Sequence, residues 1–128
     1  MLNSSRTVLL GVAVVLAAGL FFTLTPNDTR SGKVLDGEVS VVLTNEGFEP
    51  REFTIVRGTV VTFSTTRDKP FWPASNIHPN HEIYPEFDPE RSLSPTQEWS
   101  FTFERTGTFG LHDHLRAYFN GVIHVVEE

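Results

Sequence analysis

The chain has 128 residues, 39% of them hydrophobic and 20% charged, so it is one folding unit, too small for two lobes with a cleft between them. Sixteen Asp and Glu against ten Lys and Arg give a formal charge of -6, which excludes the basic face that a phosphate backbone requires. No cysteine is present, so disulfides, thiolate nucleophiles, iron-sulfur clusters and every Cys-containing metal site are excluded too.

The first segment differs from the rest. Thr7 to Leu24 carries no charge, is preceded by Arg6 and is followed by Pro26, Asp28 and Arg30. As a helix rising about 1.5 Å per residue it would cover roughly 27 Å, enough to cross a bilayer core. A cleaved secretory signal shares the charged start and apolar run, and a buried core helix is the third reading. Ala17-Ala18-Gly19 offers small residues for cleavage, but the apolar run continues through Phe21 and Phe22. The expected organisation is a membrane anchor or signal over 1–25, a polar linker over 26–37 and a folded domain over 38–128. Anchor and signal alike place that domain outside the cytoplasm.

From Val34 onward short runs alternate apolar and polar residues between Gly, Pro and Asn, the pattern of half-buried strands. Eleven Phe and two Trp beside eight Pro and nine Gly agree with short strands rather than long helices. Glu38 to Thr44 alternates through Val39, Val41 and Leu43, and Asn45-Glu46-Gly47 marks a turn before Phe48. Phe53 to Val56 and Val60 to Phe63 read as two strands joined at Arg57-Gly58, where Gly supplies the positive φ of a tight turn. Between Thr66 and Thr96 the alternation stops, and six prolines interrupt the stretch. A structureless segment of that length in a small domain is usually functional. Its Phe71, Trp72, Ile83, Tyr84 and Phe87 are expected to pack against the strands. Glu98 to Phe103 follows, with Trp99, Phe101 and Phe103 on one face, and Phe109 to His114 and Gly121 to Val126 complete the set. Strands so spaced without helices between them predict an all-β antiparallel sandwich. There is no internal repeat and no low-complexity tract.

Chemistry concentrates in four histidines. His78 and His81 form H-P-N-H in the long loop, and His112 and His114 form H-D-H in a strand. Successive strand side chains point to opposite faces, so His112 and His114 share one face and Asp113 takes the other. Two imidazoles so placed can grip one metal ion or contribute to two. Each histidine taken singly is also what a surface or hydrogen-bonded core residue looks like. His124, alone between Ile123 and Val125, is expected to be such a residue.

Gly47-Phe48-Glu49-Pro50, Val56 to Phe63, Trp99 to Phe103, Thr106-Gly107-Thr108-Phe109 and Gly121 to Val125 together resemble the cupredoxin pattern over nearly all of residues 38–127. The resemblance implies a Greek-key β-sandwich of the kind that holds copper in small exported electron carriers. The blue-copper ligands are absent: counting back from Gly121 puts Asp113 at the position of the cysteine, Arg116 at that of the histidine and Phe119 at that of the methionine. Asp113 then either pairs with Arg116 or serves as a ligand itself. Gly107 to His114 is similar to the G-T-x-x-x-H-x-H strand of multicopper oxidases, whose paired histidines bind copper between domains. His78 and His81 match the second pair of those enzymes in kind but not in spacing. Because Phe109, Leu111 and Asp113 share the core parity, His112 and His114 should face away from the core. Either the long loop or another subunit would then cover them.

These readings give an exported, membrane-tethered cupredoxin-like domain with His78, His81, His112 and His114 as metal ligands. Copper is the implied ion and zinc the alternative. The domain would serve metal handling or a membrane-associated redox assembly. Two further classes stand beside it. One is a His-only copper oxidoreductase, acting on oxygen or a nitrogen oxide and completed between subunits, and the other is a metal-free sandwich that binds a partner. The sequence assigns no catalytic residue. The partners expected are a metal ion, a membrane through residues 7–24, and either further copies of the chain or a redox protein. The location expected is the cell membrane, with the domain on the periplasmic or extracellular side.

Overall fold

A computed structural model describes residues 32–128; the apolar segment 7–24, read above as an anchor or signal, lies outside the described residues. Among the described residues no helix is long and apolar enough to cross a membrane. They form nine strands: β1 (Val34–Leu35), β2 (Glu38–Thr44), β3 (Gly47–Glu49), β4 (Glu52–Val56), β5 (Val60–Thr65), β6 (Pro73–Ser75), β7 (Trp99–Thr102), β8 (Gly107–Asp113) and β9 (Arg116–Val126). Alternation turns every second side chain inward. Val41 and Leu43 of β2, Val61 and Phe63 of β5, Ile55 of β4 and Ile123 of β9 are fully buried in one core.

Two sheets enclose that core, with strand orders β1-β4-β9-β8-β6 and β3-β2-β5-β7. The β-sandwich is as expected, but its pairing is mixed rather than antiparallel. β2 runs parallel to β5, and β4 runs parallel to both β1 and β9. The reason lies at Arg57-Gly58, which is not a hairpin. Arg57 N–H donates to Val126 O (2.8 Å) in the larger sheet, and Gly58 N–H donates to Phe103 O (2.8 Å) just beyond β7 of the smaller one. Consecutive strands therefore enter different layers, and neighbours within a layer come from distant sequence. Gly58 does adopt positive φ, at 88°. Val34–Leu35, within the stretch read as linker, adds a short parallel edge to β4.

The long loop is more organised than its sequence suggested. Pro73–Ser75 pairs antiparallel with Leu111 to Asp113 of β8, and Phe71 bridges Leu93. Beyond β6 the chain crosses the open side of the sandwich and inserts two rings. Phe87 stacks on Trp99 (5.8 Å between centroids) and meets Phe63 (5.3 Å), while Tyr84 packs edge-on to Phe109 (4.9 Å). Phe71, Tyr84 and Phe87 are buried, as expected, and Trp72 is half-buried, but Ile83 is exposed. The hydroxyl of buried Ser75 accepts Tyr84 N–H (3.1 Å) and lies 2.8 Å from His81 O, tying the loop to its own strand.

The loop is thus held by aromatic burial, which can be measured. Truncating a fully buried Phe costs about 3–5 kcal/mol. Phe87→Ala should lower unfolding free energy by about that amount in urea titration, with Phe87→Leu losing clearly less.

Candidate metal centre

β8 places its residues as the parity argument required. Phe109, Leu111 and Asp113 are buried on the core side, whereas His112 turns outward. Yet His112 is only 2% exposed, because the loop after β6 lies over it. Asn76 N–H donates to Gly110 O (2.9 Å), and the Asn76 side chain sits so close that a Cβ on Gly110 would stand 2.3 Å from its Nδ2. Glycine at 110 is what lets the loop settle. Next, His81 N–H donates to Ile77 O (2.6 Å), closing a turn that points His78 and His81 back at β8. His81 itself adopts φ of 56°, a left-handed conformation uncommon outside glycine. The cover is therefore the chain's own loop.

All four predicted histidines meet. His78 Nδ1 lies 3.2 Å from His112 Nε2, and His81 Nε2 lies 2.9 Å from His114 Nδ1. One ring nitrogen from each of the four falls within 4.8 Å of the others. Metal–imidazole bonds of about 2.0–2.1 Å set ligand nitrogens roughly 3–4 Å apart, so the group, spread over at most 4.8 Å, is slightly wider than one ion's coordination sphere and small ring rotations would close it. His81 and His112 are buried, His114 is half-buried and His78 is exposed. The centre has two covered donors, one at its edge and one facing water.

Hydrogen bonds around the rings decide which nitrogens are free. Asn76 Oδ1 accepts from His112 Nδ1 (3.1 Å), and Asp88 Oδ2 accepts from His81 Nδ1 (2.5 Å), so both rings present an Nε2 lone pair to the cluster. Asp88 Oδ1 also accepts the Trp72 indole N–H (2.7 Å) and Glu90 N–H (2.7 Å). The Trp72 ring lies 4.6 Å from that of His114, and its carbonyl accepts His114 N–H (2.8 Å).

Burial disfavours protonation of His112 and His114. Burial, reinforced by the nearby His81, His78 and His114, pushes the His112 pKa down to about 4. His114 is lowered by its own burial and then by His81 and His78. Burial works against ionisation of Asp88, but hydrogen bonds from His81, Glu90 N–H and Trp72 hold its carboxyl below the ordinary range. The result is a cluster of imidazoles beside a fixed carboxylate, with the Nε2 atoms of His81 and His112 turned toward its centre.

The other candidates lie elsewhere. Asp113 is fully buried, accepts Trp72 N–H (2.9 Å) and Leu115 N–H (3.2 Å), and pairs with Arg116 (3.4 Å). It ends β8, bonds the turn that follows, which holds His114, and is outside the four-histidine group, so of the two alternatives above the ion pair is the one found. Phe119 packs under the Arg67 guanidinium, 4.9 Å from the ring centre. His124 bonds Glu52 (2.8 Å) and Thr108 (3.0 Å), away from the cluster, as an ordinary strand residue does. Asn76, Trp72 and Asp88 were not anticipated. The one available signal was Gly110 inside an apolar strand, a mark of close backbone approach.

The same architecture is found among solved structures. A purple cupredoxin from Nitrosopumilus maritimus matches at TM-score 0.59 and 19% identity, covering 69% of this chain and 99% of its own. A reduced amicyanin mutant matches at TM-score 0.60 and 21% identity, covering 73% of this chain and 87% of its own. The chain has the cupredoxin fold. A copper-containing nitrite reductase from Thermus scotoductus also matches this cupredoxin-like domain, at TM-score 0.58, 19% identity and 71% coverage, although the match spans only 23% of the reductase. No protein-family model matches the chain, and no curated protein matches it.

The depressed His112 pKa fixes a sign for acid stability. A group whose folded pKa lies below its unfolded value of about 6.5 takes up its proton first in the unfolded chain. Its contribution is fully present above about 6.5 and lost as pH falls toward about 4. Metal-free protein should therefore show a urea midpoint that declines through this window, and His112→Asn should flatten the decline.

Proposed function

We propose that this is an exported, membrane-tethered domain that binds copper through His78, His81, His112 and His114, serving metal handling or a membrane-associated redox assembly. The observation that carries the reading is the convergence of four ring nitrogens within 4.8 Å, with two of the rings oriented by Asp88 and Asn76. Imidazole donors suit copper and zinc, and the affinity order among divalent ions favours copper. The structural neighbours whose titles name copper add support for that choice. Tethering and export rest on the uncharged run from Thr7 to Leu24.

Within such a centre the ion would supply Lewis acidity and, if copper, one-electron redox chemistry. The chain's own contribution is to aim the rings and to keep water from His81 and His112. A second reading is favoured by one observation. His78 is exposed, so the centre presents one face to solvent, where a small molecule such as oxygen or a nitrogen oxide could approach. That geometry is what a His-only oxidoreductase would need.

Replacing any of the four histidines by Ala should weaken copper binding by at least about tenfold, the losses being non-additive between members of one site. His124→Ala should leave affinity unchanged. The Cu(II) protein should be only weakly coloured, since the chain has no thiolate to give sulfur-to-copper charge transfer. Unchanged binding in both His112→Ala and His114→Ala overturns the reading, since copper is then held elsewhere, and a wild type that binds no copper leaves a metal-free sandwich.

For the tether, fractionation of cells expressing the full chain should recover it with the membranes, released by detergent and not by high salt. A mature amino terminus at or just after residue 19 would instead show a cleaved signal.

A further inference from the structure

We propose that Asp88 makes the four-histidine centre selective for divalent over monovalent ions. The proposal rests on the metal-binding reading and deepens it. The four donors are all ring nitrogens, so an ion entering among them meets no anionic ligand. The nearest negative charge acts through His81, whose Nδ1–H Asp88 Oδ2 accepts at 2.5 Å. That carboxylate has little freedom. Its side chain is 15% exposed, and its other oxygen is fixed at 2.7 Å by both the Trp72 indole and Glu90 N–H. Asp113, the other buried acid of this region, is paired with Arg116 and turned to the core side of β8. Asp113 also acts on His114 through its charge, but Asp88 is the acid hydrogen-bonded to a ring of the cluster among the described residues.

Two effects of a carboxylate behind a ligand histidine can be told apart. Orientation of the ring benefits any ion alike. Charge does not, because Coulomb energy scales with the product of the charges, so one fixed negative charge stabilises a divalent ion about twice as much as a monovalent ion at the same point. Three N–H donors, from His81, Trp72 and Glu90, converge on the Asp88 carboxylate and fix it behind the ring, which makes charge the effect to expect here.

The test compares Zn(II) and Cu(I) affinities of the full chain in detergent, wild type against Asp88→Asn, by chelator competition and without oxygen for Cu(I). The amide keeps the size of the side chain and an oxygen for His81 Nδ1–H, and removes the charge. A partner of this kind is worth roughly 10- to 100-fold in metal affinity. Zn(II) binding should weaken by about that factor and Cu(I) binding by about its square root, so the ratio of the two falls about 3- to 10-fold. The Cu(II)/Cu(I) midpoint should rise in step, by about 59 mV for a tenfold change. Equal losses for both ions overturn selectivity and leave Asp88 as an orienting group. Unchanged affinities remove it from the centre altogether. Should Asp88→Asn not fold, the Zn(II)-loaded wild type decides, because the His81 Nδ1 proton must then appear strongly deshielded in proton–nitrogen NMR, and its absence overturns the proposal. A wild type that binds neither ion overturns the metal-binding reading itself.

Discussion

Everything at the candidate centre depends on one close approach, that of Asn76 to the bare backbone of Gly110. The Asn76 N–H bonds the Gly110 carbonyl at 2.9 Å, and its side chain occupies the space a Cβ would need. Two residues along β8, His112 is thereby roofed and its Nδ1 engaged by the same asparagine. Without that contact β6 would still pair with β8 and Tyr84 and Phe87 would still anchor the loop further on, but its first residues would lose their tie to the outer face of β8. A buried polar ring needs a partner for its N–H. Here one side chain supplies both the roof and the partner.

The roof in turn is held from below. Tyr84 and Phe87 fill the open side of the sandwich, and Asp88 follows Phe87 directly in sequence. The ring that anchors the loop in the core and the carboxylate that orients His81 are thus adjacent residues on one rigid segment. Core packing and ligand geometry are mechanically one system. Dense aromatic interiors yield little to local change, so the position of His81 is inherited from the hydrophobic core rather than from a flexible loop.

Legibility in the sequence followed the range of the interactions. β2 has the ends its alternation predicts, and β4, β5, β7 and β8 lie within a few residues of theirs, because alternation is local and each of these strands turns one face inward. The four histidines are legible as two pairs, but β8 carries only His112, because an irregularity between His112 and Asp113 ends the strand and leaves His114 in the turn that follows. What the residues could not disclose was where chains meet across long distances. Parallel pairing of β2 with β5 and of β4 with β9 depends on a turn that changes sheets, and Arg57-Gly58 reads like any tight turn. β6 was hidden because Pro73-Ala74-Ser75 has no alternation, its pairing being imposed by β8 and by burial on both sides. Asp88 and Asn76 carry no pattern at all, since their partners lie 7 and 36 residues away.

The position of β9 has a consequence for the order of events during synthesis. This strand, the last in the chain, lies in the middle of the larger sheet, between β4 and β8. Until residues 116–126 have left the ribosome, β8 lacks its main neighbour and β4 pairs only with the two residues of β1. Sheets closed by distant segments form late and slowly. His112, and His114 one residue past the strand, therefore lack the main neighbour of β8 until residues 116–126 have emerged. A nascent chain shorter than that has no finished four-histidine cluster, and the cluster is a property of the closed sheet rather than of the histidine-bearing segments alone.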